Sequence, residues 1–91
     1  MALLVITNKK YHCMRGSTQM VGNLPQTSGI GTWDEAVTGL AHIDMAYLQP
    51  NSAVTTWHTI EPNIRADGSA APGWFRIKAG ARTGVIVVDG R

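Results

Sequence analysis

Apolar and polar positions in this chain mostly alternate with a period of two, the signature of strands with one buried face. Trp74–Ala79 sets Phe75, Ile77 and Ala79 on one side, with Trp74, Arg76 and Lys78 on the other. Val85–Val88 is apolar on both sides and predicts a central strand, ending in Asp89-Gly90. With the glycine-rich run Ala66–Gly73 before them, these segments read as a β-hairpin. Lys10–Arg15 predicts a further strand, with Tyr11 and Cys13 on one face and His12 and Met14 on the other, turned by Gly16-Ser17. Val54–Ile60 has high β-propensity and predicts another. Residues 2–7 form a short apolar run, either a buried strand or an arm that adds to another subunit's sheet edge. Residues 20–32, with their Gly and Pro content, predict a long surface loop, and Glu61-Pro-Asn63 and Ala66–Gly73 predict shorter ones.

Residues 33–48 carry two patterns. Thr32-Trp-Asp-Glu35 matches a capping box, with Thr32 as N-cap and Glu35 three residues on. Beyond Gly39 the chain alternates, with Ala41, Ile43, Met45 and Tyr47 apolar against His42 and Asp44. The expectation is one helical turn over residues 33–38 and a strand over 40–48, ended by Gln49-Pro-Asn-Ser52. In sum, residues 1–91 predict a single all-β domain. It would be a small sandwich or barrel of five to seven short antiparallel strands, with residues 1–7 available as an extended arm.

Composition sharpens this. The chain has 91 residues, 44% of them hydrophobic, enough for one packed core. Only 15% are charged, against roughly a quarter in an average soluble domain, so its surface is weakly protected against association. The net charge is +2 and the basic residues are scattered, with no run beyond Lys9-Lys10, so a nucleic-acid partner is not expected. The single cysteine, Cys13, excludes an intrachain disulfide and is expected to be a small core residue. Ala2–Ile6 is too short for a secretory segment or a membrane span, and its charges follow it rather than precede it. The protein is expected to be soluble where it is made, with no membrane partner.

Candidate chemistry is sparse. His42-x-Asp44 sets two potential ligands on one strand face, which His12, Cys13 and His58 could join in space. No CxxC, HxxxH or HExxH spacing supports a metal, and none is expected. His12 and Cys13 are adjacent on a strand and point to opposite faces, so the histidine is badly placed to activate the thiol. Gly29-Ile-Gly31 lacks the third glycine of a dinucleotide fingerprint and the Lys-Ser/Thr of a phosphate loop. No cofactor and no enzymatic activity are expected. Trp33, Trp57 and Trp74 could stack bases or sugars. The favoured reading makes two of them core residues and Trp74, beside Arg76, an interface anchor.

Pro72-Gly-Trp-Phe-Arg-Ile-Lys-Ala79 followed by Val85-Ile-Val-Val-Asp-Gly90 resembles a group of small tailed-phage proteins rich in Gly, Ala and Thr, often encoded beside the major capsid protein. The similar stretches are Tyr11–Gln19, Trp33–Val37, Gly39-Leu-Ala41, Ala66–Arg76 and Val85–Gly90; Gly39-Leu-Ala41 and Ala66–Arg76 are the specific ones. An N-terminal helix of that group is replaced here by Ala2–Ile6, and residues 20–32 do not match. The resemblance implies a virion structural protein, made in the host cytoplasm and carried on the capsid surface as a head decoration or cement subunit. Its partners would be the major capsid protein or other virion subunits, with a homo-oligomer on the particle. Leu3, Leu4, Val5 and Ile6 would form the inserting arm, and Trp74 and Arg76 the anchor. The alternatives are a head–tail connector or tail-tube subunit, or a small nucleic-acid- or carbohydrate-binding module using the tryptophans.

Overall fold

The computed structural model describes residues 2–25, 32–50, 60–78 and 84–91. They form eight strands: β1 (Ala2–Leu3), β2 (Thr7–Met14), β3 (Ser17–Leu24), β4 (Trp33–Val37), β5 (Ile43–Pro50), β6 (Ile60–Ile64), β7 (Ala70–Lys78) and β8 (Gly84–Gly90). One sheet runs β1-β4-β7-β6 and the other β2-β3-β8-β5. All pairings are antiparallel except β1 with β4, which is parallel. The chain crosses between sheets after β1, β3, β4, β5 and β7.

The expected all-β architecture is what the chain adopts, and β8 is the interior strand that its doubly apolar sequence predicts. The two inner faces make one core. Met20, Leu24, Ile86 and Val88 come from one sheet, and Ala36, Phe75 and Ile77 from the other. Leu4 and Ile6 fill the side where the chain leaves β1 for β2. Phe75 is the largest fully buried side chain among the described residues, and a residue of its kind contributes about 1.5–3 kcal/mol through burial.

Six expectations are corrected. β7 and β8, which read as one hairpin, lie in different sheets, β7 between β4 and β6 and β8 between β3 and β5. Residues 33–37 are strand β4, and no helix occurs among the described residues. Pairing with β7 overrides the capping box: Asp34 and Ala36 lie opposite buried Ile77 and Phe75, so Trp33, Glu35 and Val37 point outward with a period of two. Residues 20–24 are the second half of β3, with Met20 and Leu24 in the core, rather than loop. Glu61-Pro-Asn63 lies within β6, where edge position tolerates the proline and a register irregularity follows it. Residues 70–73 open β7, which leaves the turn between Arg65 and Ser69. The strand expected over 40–48 begins at Ile43. Residues 54–59 and Gly29-Ile-Gly31 lie outside the described residues.

One corner fastens the sheets together. Asn63 takes a left-handed backbone (φ +59°), which Asn tolerates better than most residues. Its Oδ1 accepts from the backbone N–H groups of Ile43 (2.9 Å) and Gly73 (3.1 Å), and its Nδ2 donates to the Ile43 carbonyl (2.7 Å). A single side chain thereby pairs with β5 as a strand would. Beside it, Thr38 Oγ1 donates to the Gly73 carbonyl (2.8 Å) and accepts from the Leu40 N–H (3.1 Å). Arg91 exchanges backbone hydrogen bonds with His42, which ties the end of β8 to the start of β5.

Asn63→Ala removes the three hydrogen bonds to Ile43 and Gly73 and the contact of Nδ2 with His42 Nε2 (3.3 Å), and strands partly buried backbone groups. The expected loss is about 2–4 kcal/mol, read as a lower urea midpoint with an unchanged slope. Gly73 and Gly68 offer a paired test. Both have positive φ (+86° and +91°), but a Cβ at Gly73 would run into the Leu40 carbonyl oxygen, whereas at Gly68 it would meet only Arg76 Nη1 at 3.9 Å. Gly68→Ala is expected to cost about 1 kcal/mol, the backbone penalty alone, and Gly73→Ala about 3 kcal/mol or more. Equal losses at the two positions would show that the corner is not tightly packed.

Candidate functional site: two outer faces and an open edge

The outer face of the β1-β4-β7-β6 sheet carries a polar ladder. Strand alternation brings Trp33, Glu35 and Val37 of β4 opposite Lys78, Arg76 and Trp74 of β7, with Glu61 of β6 beyond Arg76. The Arg65 guanidinium lies 4.1 Å from the Trp74 ring centre, and Arg76 lies 4.1 Å and Lys78 4.4 Å from that of Trp33. Between the rings, Arg65 donates to both oxygens of Glu35, at 2.6 Å and 3.3 Å, and Arg76 donates to Glu61 at 2.8 Å. Each cation thus has a carboxylate or an aromatic face, and two of them have both.

The turn before β7 aims Arg65. Its carbonyl accepts from the Gly68 N–H and its N–H donates to Ser69. The Ser69 hydroxyl and N–H hold the Asp67 carboxyl below its ordinary pKa. The hydrogen bond to Glu35 raises the Arg65 pKa further above its already high value.

The outer face of the other sheet differs in kind. Gln19, Val21 and Asn23 of β3, Val85, Val87 and Asp89 of β8, and Met45, Tyr47 and Gln49 of β5 lie across from one another. Lys10, His12 and Met14 of β2 extend the same face. Met14, Met45 and Tyr47 are 56%, 52% and 46% exposed, respectively. Among these residues the charged ones are Lys10 and Asp89, and Asp89 already accepts from Gln19 Nε2 (3.2 Å).

The sequence-predicted residues divide between these environments. Trp74 and Arg76 stand on the ladder face, with Arg76 joined to Glu61 and stacked on Trp33. Leu3 and Val5 point to solvent, while Leu4 and Ile6 are buried in this domain's own core. The N-terminal run is pinned further by β1–β4 pairing and by the Leu4 N–H bond to the Glu35 carbonyl (2.7 Å). Cys13 is exposed, which corrects its expected place in the core: every residue of β2 is exposed, on both faces of the strand. His42 Nδ1 meets Asp44 Oδ1 at 3.1 Å, and among the described residues no three His, Cys, Asp or Glu side chains gather as a metal site. Trp57 and His58 lie outside the described residues.

Sequence reasoning missed Glu35, Arg65 and Asn63. The i, i+2 spacings Trp33-x-Glu35 and Trp74-x-Arg76-x-Lys78 signalled part of the ladder once both segments are read as neighbouring strands. No local pattern pointed to Asn63. No family model, curated protein or solved structure matches this chain.

Glu35 is almost wholly buried while Arg65 is half exposed, so the pair fails asymmetrically. Arg65→Ala leaves a buried carboxylate without its fork and is expected to cost stability, read as a lower urea midpoint, by an amount that solvent at the arginine reduces. Arg65→Lys should restore less than half of it, because an ammonium cannot span both oxygens and stack on Trp74 together. Urea unfolding followed by tryptophan fluorescence checks both.

Proposed function

We propose that this protein is a virion structural subunit, a capsid decoration or cement protein, that works by adhesion to neighbouring shell subunits and has no catalytic role. The observation that carries this reading is the outer face of β2-β3-β8-β5. It gathers Val21, Val85, Val87, Met45 and Tyr47 in neighbouring register positions, bordered by Lys10 and Asp89, with Met14 exposed further along the same face. Aromatic and methionine side chains on a sheet face suit a protein–protein contact whose core excludes charge. The low charge content agrees with it. So does the resemblance to tailed-phage proteins, one of whose two specific stretches, Ala66–Arg76, here spans most of the Arg65–Ser69 turn and of β7. Many copies on a lattice would add weak contacts by avidity.

The base- or sugar-stacking alternative is weakened by the ladder. Trp33 and Trp74 already carry cations of their own chain over their rings.

The test is quantitative mass spectrometry of purified particles from the source, comparing this chain with the major shell protein. A copy number close to that of the shell subunit is expected. A handful per particle would favour a connector or tail ring, and absence would remove the virion reading. Met45→Glu with Tyr47→Ser is expected to weaken attachment to shells at least tenfold, while the melting temperature falls by no more than a few degrees.

A further inference from the structure

We propose that the open edge of β2 is a docking site for an extended acidic segment of a partner protein, which adds to the β2-β3-β8-β5 sheet as a further strand. This inference rests on β2 alone and stands or falls separately from the virion reading.

β2 is a terminal strand of its sheet, so one row of its backbone N–H and C=O groups has no strand partner among the described residues. The other sheet edges are covered in part or short. β5 meets β6 at its first residue, Ile43, through Asn63, and β1 has two residues. Thr7–Met14 is long for an exposed edge, and its second half is regular. Lys10, Tyr11, His12, Cys13 and Met14 pair in unbroken register with Val21 to Ser17. The usual guard against edge pairing, a bulge, lies only at its start, between Thr7 and Lys10 beside Asn8 with φ +54°. Five regular residues span about 17 Å, the length of an ordinary strand.

Charge identifies the occupant. The first 33 residues contain Lys9, Lys10 and Arg15 and no Asp or Glu. Lys10 and Arg15 make no ion pair among the described residues, and Lys9 reaches a backbone oxygen, that of Val37 (3.2 Å), rather than a carboxylate. The β2–β3 hairpin is therefore an uncompensated basic wing. A strand added to it would set alternate side chains beside Lys10 and His12 on one face and beside Tyr11 and Cys13 on the other. Cross-strand pairing then selects Asp or Glu at the first set and an apolar or β-branched residue at the second. The backbone row gives affinity and this alternation gives specificity.

The probe is a labelled ten-residue peptide alternating Glu with Val and Thr, titrated at low salt by fluorescence anisotropy. Its Lys-for-Glu counterpart and an oligothymidylate of fifteen nucleotides serve as competitors. The acidic peptide is expected to bind at least tenfold more tightly than the basic one and to weaken as salt rises. The amides of residues 10–14 should gain hydrogen-exchange protection. Lys10→Glu with Arg15→Glu should reverse the preference, and Lys10→Gln with Arg15→Gln should abolish it, with unchanged far-UV circular dichroism in both. Four results would overturn the proposal: no binding, tighter binding of the oligonucleotide, protection confined to other strands, or charge variants that bind as the parent does. If the acidic peptide fails to bind, the lysines act only as guards against strand addition.

Discussion

The Asn63 amide stands in for a backbone segment between the two sheets. β5 and β6 end different sheets and share no ladder, yet Ile43 finds both its donor and its acceptor on one side chain. The orientation of that amide is fixed, because its oxygen faces two backbone N–H groups and its nitrogen faces a carbonyl. Fixing Asn63 fixes Gly73; the Gly73 carbonyl holds Thr38, and Thr38 Oγ1 in turn holds the Leu40 N–H. The starts of β5 and β7 and the end of β4 are thereby set relative to one another. In a sandwich this small the core alone is a weak constraint on sheet orientation, since apolar contacts have no direction. The directional bonds of this corner supply what the core does not.

That fixed orientation determines what each outer face can present. On the ladder face, Trp33, Glu35, Arg65, Trp74 and Arg76 satisfy one another, and a partner docking there would have to displace or match contacts already made. On the opposite face, Met45 and Tyr47 stay exposed; Tyr47 and Val21 flank Val87 in register, and Met45 lies opposite Asp89. Burial of the second face releases water from apolar surface with little polar desolvation. The two faces of one sandwich thus differ in the balance that decides association.

The fold class was legible because it lies in local alternation. Phe75-x-Ile77 and Val85–Val88 declare their burial without reference to any neighbour. The failures share one physical cause, tertiary pairing. Trp33–Val37 satisfies a capping box locally and a strand ladder globally, and the second wins because it places Ala36 against Phe75. Cys13 looked like a core residue because its alternation with His12 is real. Both faces of β2 are exposed, however, and no window of sequence shows where a sandwich ends. The N-terminal run divides for a related reason: Leu4 and Ile6 alternate with Leu3 and Val5, and the first pair is buried in the chain's own core. Asn63 was invisible, since an Asn after Pro reads as turn chemistry whatever its side chain reaches.

Charge is also unevenly placed, in a way that the net value hides. Lys9, Lys10 and Arg15 sit together on the first hairpin, while the rest of the chain holds five basic and six acidic residues and nets −1. The overall +2 therefore belongs to the β2–β3 wing. On the other sheet Glu35 and Glu61 answer Arg65 and Arg76 at hydrogen-bond distance, so that face projects little field. A molecule charged at one edge and nearly neutral elsewhere is turned by an external field before it makes contact. A negatively charged partner would then meet β2 first. Its apolar neighbours on the same sheet, from Met14 to Tyr47, would come within reach only after that edge is engaged.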